Sequence, residues 1–137
     1  MLREKTILLL LVSTVLVGVP AKHAIAGITS RHAPISEVML LPQFCWGQYL
    51  NYKQPQYNIP RGCGAGMNHY CQGLIFLNQG ERVFDNMGKK RNLLHNAKRR
   101  FKYTLDWMKK YPNCPLRQAV NESLRRVDMD LRTVPAR

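Results

Sequence analysis

The sequence predicts a small all-α domain stapled by disulfides and ending in an antiparallel helical hairpin. Three observations carry that prediction. Two long stretches of the C-terminal half place apolar residues at helical spacing, and no stretch of comparable strength alternates apolar and polar residues as a strand would. Four cysteines, Cys45, Cys63, Cys71 and Cys114, follow an N-terminal stretch with the form of an export signal. An even cysteine count in an oxidising compartment is most simply two disulfides, and four cysteines allow three connectivities.

Residues 1–26 read as a signal peptide. Arg3 and Lys5 give a positive start, residues 7–19 form a mostly apolar run of 13, and Ala24-Ile25-Ala26 has the small-x-small form that signal peptidases accept. Cleavage near Ala26 would begin the mature chain at Gly27. The apolar run falls short of the roughly 20 residues that cross a bilayer. No second run follows it, so the expectation is a periplasmic or secreted protein with no transmembrane segment in its mature part.

The next element, residues 27–62, reads as irregular or short-helical. Pro34 and Pro42 interrupt its start, and a short helical or irregular segment is expected from Phe44 to Tyr52. Asn51 to Gly62, with Pro55 and Pro60, reads as a loop. The helical domain is expected over residues 63–132. Its first helix, near 65–79, follows Gly64-Ala65-Gly66 and places Met67, Tyr70, Cys71, Leu74, Ile75 and Leu77 on one buried face, with Gly73 weakening it. The second, near 89–110, has the clearest stripe: Leu94, Ala97, Phe101, Leu105 and Met108. Lys109 and Lys110 suit its C-terminal dipole, and Pro112 stops it. The third, near 114–131, has Asn113 as its expected cap, Pro115 in its first turn and a stripe of Leu116, Val120, Leu124, Val127 and Leu131. A connection this short makes the last two helices pack antiparallel. Residues 133–137 read as a tail.

The chain is strongly basic, with a formal charge of +13. The first 26 residues hold three of the 21 basic and one of the eight acidic side chains, so the remaining 111 residues keep +11. Export disfavours nucleic acid as the partner and favours an acidic protein surface, anionic lipid or envelope polymer.

Chemistry-bearing motifs are few. The segment Cys63 to Cys71 gathers Cys63, Met67, His69 and Cys71, a soft donor set suited to copper. Its cysteines are eight apart, unlike a common zinc pair, and there is no CxxCH for haem. Glycines beside Cys63, a buried Met67 and Tyr70, and a capping or surface His69 explain the segment better than a metal does. A phospholipase-like site needs a carboxylate directly after its histidine, and Tyr70 stands there. Ser30, Ser36 and Ser123 lie in no nucleophile elbow. The sequence therefore assigns no catalytic residue, no metal and no cofactor.

The candidate binding residues are Arg91, Lys98, Arg99, Lys102, Lys109 and Lys110, all on the longest expected helix. At about 100° per residue, Arg91, Lys98, Lys102 and Lys109 fall about 40–80° from Leu94, and Arg99 and Lys110 nearer 150°. They make one basic flank. Trp46, Tyr49, Tyr52 and Tyr57 add aromatic surface before and within the loop, with Trp46 expected in the core.

Ala97, Phe101 and Leu105 in one helix, Pro112 at the turn and a second amphipathic helix make residues 97–131 resemble half of a tetratricopeptide repeat. The preceding helix of such a repeat presents a large aromatic, a Leu-Gly pair and a tyrosine, where this chain has Glu81, Phe84, Asp85 and Gly88. With Phe44-Cys45-Trp46, residues 63–74 and residues 111–117, the chain resembles small exported bacterial proteins with tetratricopeptide-like helices. That resemblance implies protein binding and brings no catalytic residue.

The sequence thus reads as an exported, non-enzymatic helical interaction module that binds an acidic protein partner in the periplasm or envelope. One alternative is a cationic binder of anionic envelope polymer or lipid. The other is a metal or redox protein using residues 63–71, which requires free thiols.

Overall fold

The computed structural model describes residues 33–135, so the expected signal peptide lies outside the described residues. The order of elements is α1 (Ile35–Val38), α2 (Met67–Glu81), α3 (Met87–Met108) and α4 (Arg117–Thr133), with 3-10 turns at Gln43–Gln48 and Pro55–Tyr57 before α2. Among the described residues there is no strand, and no helix is long and apolar enough to cross a membrane.

Helix boundaries differ from the sequence expectation by two or three residues, for local reasons. Gly64, at φ 70°, forms a turn ahead of α2. The helix then extends to Glu81, where the Arg82 Nε reaches back to the Asn78 carbonyl at 3.0 Å. Asn86 begins α3 early, its side chain accepting from the Lys89 N–H at 2.8 Å. Asn113 does not cap α4. The chain turns through Cys114 and Pro115, and α4 begins at Arg117 without a side-chain cap. Arg117 instead donates to the Met108 carbonyl at 2.5 Å, satisfying the end of α3. The start of the expected tail is part of the fold: Val134 is buried, and its carbonyl accepts from Arg91 Nη2 at 2.7 Å.

The stripes of α3 and α4 pack as the spacing predicts. Leu94, Ala97, Phe101 and Met108 are fully buried, Val120 and Val127 face them, and Leu105, Leu124 and Leu131 close the edges. The first helix behaves differently from its expected single buried face. Met67, Tyr70, Cys71, Gln72, Gly73, Ile75, Leu77 and Gly80 are all buried, so α2 is enclosed on nearly every side. On one side it meets α3 and α4. On another it meets a smaller cluster of Leu41, Cys45, Cys71 and Ile75, with Trp46 half-buried beside it. The Trp46 Nε1–H donates to the Leu41 carbonyl at 3.0 Å, and its ring stacks on Tyr57 at 5.5 Å.

The disulfides join Cys45 to Cys71 and Cys63 to Cys114. Their sequence separations of 26 and 51 residues overlap, so one bridge opens inside the loop closed by the other. Loop-closure entropy assigns them about 3.5 and about 4 kcal/mol respectively. The first ties the irregular N-terminal part to α2, and the second ties the entry of α2 to the turn between α3 and α4.

Gly73 explains its own place inside a helix. A Cβ built there would lie 2.5 Å from Phe101 Cε1 and 3.1 Å from Arg100 Cβ, so the absent side chain lets α2 and α3 touch. Gly73→Ala gains about 1 kcal/mol of helix propensity but overpacks the crossing by about 1–3 kcal/mol. The expected outcome is a net loss near 1 kcal/mol, or several degrees of Tm in a thermal melt. A rise in Tm would show that the two helices do not depend on this contact.

Candidate functional site

The basic flank of α3 divides in the folded chain, because α4 packs on the side where Arg91 and Lys98 lie. Arg91 is turned in to the Val134 carbonyl, and Lys98 Nζ pairs with Asp128 on α4 at 2.6 Å. Lys109 pairs with Asp106 at 2.8 Å, and Lys110 lies over the Trp107 ring, 5.1 Å from its centroid. Lys102 is exposed and holds no ion pair among the described residues. Arg99 faces the opposite side of α3, where the structure forms a cleft against α2.

That cleft has a volume of about 350 Å³ and is lined by Phe76 from α2 and by Asn96, Arg99, Arg100 and Tyr103 from α3. At its margin Arg100 Nη1 lies 2.7 Å from His69 Nδ1. A guanidinium only donates, so Nδ1 accepts and the imidazole is the neutral Nε2–H tautomer. The His69 ring also packs on Tyr103, with centroids 4.2 Å apart. Burial lowers the His69 pKa from its ordinary value, and the Arg100 charge lowers it further. On the other flank, burial pushes the Tyr49 hydroxyl up to about 12, partly offset by Arg100. Arg100 therefore stands among His69 of α2, Tyr103 of its own helix and Tyr49 just beyond the first 3-10 turn.

Both cleft arginines are held by neutral acceptors. Arg99 donates to Asn96 Oδ1 and Arg100 to His69. Neither has a carboxylate partner among the described residues. A guanidinium carries five donors, so each keeps its full charge and most of its hydrogen-bonding capacity. Two such forks beside an aromatic wall can take a carboxylate or phosphate group.

Sequence reasoning named Arg99 from this site and missed Arg100, Tyr103, Asn96 and Phe76. It expected a capping or surface role for His69, which is instead half-buried against α3. The available signal was spacing: His69 and Phe76 lie seven apart on one face of α2, Arg100 and Tyr103 three apart on α3, and a mid-helix glycine marks the crossing between them.

The metal reading of residues 63–71 loses its ligands. Cys63 and Cys71 are oxidised to different partners, and no cysteine is free. No cluster of three or more metal-ligating side chains occurs among the described residues. No protein-family model matches the chain, and neither a curated protein nor a solved structure is significantly similar to it.

The lowered pKa of His69 has a sign that can be tested. Between its folded value and the ordinary 6.5, the unfolded chain binds the proton and the native chain does not, so stability falls as pH drops through that window. Melts from about pH 7 to about pH 5 are expected to show falling Tm, with a smaller slope in His69→Gln. An imidazole NMR titration with a midpoint above 6.5 for His69 would contradict the burial and the arginine contact together.

Proposed function

We propose that this protein is an exported, non-enzymatic helical interaction module that binds an acidic segment of a protein partner in the periplasm or envelope. Charge distribution is the observation that carries the reading. The described residues hold 16 basic and seven acidic side chains. Four of those acids pair with Arg82, Lys98, Lys109 and Arg126 and so leave twelve basic groups without an internal ion pair. Arg99, Arg100 and Lys102 belong to that excess, and two of them open onto the cleft.

Such a surface steers an acidic partner by long-range attraction, while the aromatic and apolar walls supply the contact that salt does not screen. Phe76 and Tyr103 favour a protein partner over a bare polyanion, because a polymer or lipid headgroup would use only the charge. The two disulfides accord with an oxidising compartment. The N-terminal charge and apolar run of the sequence supply the route to it.

Two measurements test this reading. Expression of the whole chain in a secreting bacterium should yield an exported product whose first residue is Gly27. A full-length chain retained in the cytoplasm with reduced cysteines would defeat the export reading. For binding, Arg99→Glu, Arg100→Glu and Lys102→Glu combined should weaken an aspartate- and phenylalanine-containing peptide by more than about tenfold near 0.15 M salt. Unchanged peptide affinity, or equal affinity for anionic vesicles and simple polyanions, would favour the polymer or lipid reading instead.

A further inference from the structure

The cleft suggests both the size of what it holds and a means of control. Its volume of about 350 Å³ sits at the lower end of ligand pockets and suits one or two side chains rather than a long segment. Asn96 and His69 orient the two guanidiniums without neutralising them. Phe76 and Tyr103 offer a wall for the apolar body that carries the anion. The group that holds Arg100 is a histidine nitrogen, which changes from acceptor to donor when it is protonated.

We propose that the α2–α3 cleft is the anchoring pocket for one carboxylate-bearing residue, with an apolar neighbour, of an acidic protein partner, and that His69 is its proton-linked latch. While neutral, the imidazole accepts from Arg100 and keeps the guanidinium against α2. Once protonated, Nδ1 becomes a donor, the contact turns into repulsion, and Arg100 is released toward the bound carboxylate. This inference rests on the acidic-partner reading and adds its anchor and its pH response.

The sign follows from linkage. A carboxylate between Arg99 and Arg100 offsets the charge that opposes protonation of His69, so binding takes up a proton. Affinity then rises as pH falls, by at most about tenfold per pH unit between the His69 midpoints of the bound and free protein. The charged and titratable groups around this unit are Tyr49 from the N-terminal part and Arg99, Arg100 and Tyr103 from α3. Tyr49 stays protonated throughout the window, so the latch response is carried by His69.

The test uses the mature, disulfide-bonded chain and a fluorescent hexapeptide alternating phenylalanine with cysteic acid, whose sulfonates stay ionised across the window. The wild type should bind it about fivefold or more tightly at about pH 5 than at about pH 7.5. His69→Gln, which still offers Arg100 an acceptor, should bind with little pH dependence. Arg100→Gln should lose both affinity and slope, and Phe76→Ala should lose affinity at each pH, with thermal melts verifying that the variants fold. The NMR midpoint of His69 should rise when the peptide is added.

Pocket binding with no pH dependence would overturn the latch and leave the acidic-partner reading standing. A slope that persists in His69→Gln would also overturn the latch and assign the response to another group, such as the exposed His95. Binding that ignores Phe76→Ala but follows total negative charge, as anionic vesicles would, overturns the pocket. Absence of binding at both pH values overturns the pocket and the acidic-partner reading together.

Discussion

The contact between Gly73 and the Phe101 ring sets the distance between α2 and α3, and the rest of the structure is arranged around that distance. Packing in a protein interior is close to that of a crystal, so two helices meeting at a glycine come nearer than side chains would otherwise allow. Thr104 reinforces the approach: its buried Oγ1 lies 2.9 Å from the Arg100 carbonyl and 3.2 Å from the Gly66 carbonyl at the entry of α2. The cleft is a consequence of the same crossing. His69 and Phe76 stand about one turn before and after Gly73, while Arg100 and Tyr103 bracket Phe101. What brings the helices together at the centre leaves polar and aromatic side chains facing each other at the edge.

Ion pairs play a second, smaller part. Arg82 joins α2 to α1 through Glu37 at 2.5 Å, and Arg126 joins α4 to the end of α2 through Glu81 at 2.5 Å. Exposed pairs of this kind contribute at most about 1 kcal/mol each, so they orient the helices more than they hold them. Glu81 shows the limit of that arrangement. Burial pushes its carboxyl above the ordinary value, Arg126 pulls it down, and neighbouring Asp130 pushes it up again. Glu37, Glu81 and Asp128 are thus used at helix junctions, and the cleft side of α3 is left with Arg99 and Arg100 uncompensated. Charge segregation of this type costs a small domain stability through self-repulsion, which gives the two disulfides a clear physical task.

Much of the fold was legible in the sequence because it rests on local periodicity. Leu94, Ala97, Phe101 and Met108 announce one buried stripe, Val120 and Val127 another, and the four cysteines announce two bridges. Their pairing was not legible, since spacing alone allows three connectivities. The encirclement of α2 was hidden too. A helix packed from several sides has no single apolar stripe, and Gln72 and Gly73 interrupt its pattern while both are buried. The site was partly legible. Angles measured from Leu94 found the cations of α3, but the same angles cannot say on which side α4 will lie. Arg91 and Lys98 proved to face α4, and Arg100, which falls outside the flank, proved to face the cleft. Recognising Arg100 requires knowing what stands across from it on α2, which is tertiary information.

The overlapping bridges bear on the site as well as on stability. Cys71 is one of the buried residues of α2, two positions from His69 and two from Gly73, and its bridge to Cys45 draws the first 3-10 turn against the helix. That places Tyr49 within the field of Arg100 and Gln48 beside the Cys71 sulfur at 3.0 Å. Cys63 meanwhile fixes the start of α2 to the turn after α3, the helix that carries both arginines. Each wall of the cleft therefore has a covalent tether near it. A ligand meeting such a site finds Arg99 already held by Asn96 and Tyr103 packed on the His69 ring, so that Arg100 alone has to change partner. Two adjacent arginines repel each other, and a core of this size has little stability with which to offset that. Here the crossing at Gly73 supplies the geometry, and the disulfides keep it when charge repulsion would loosen it.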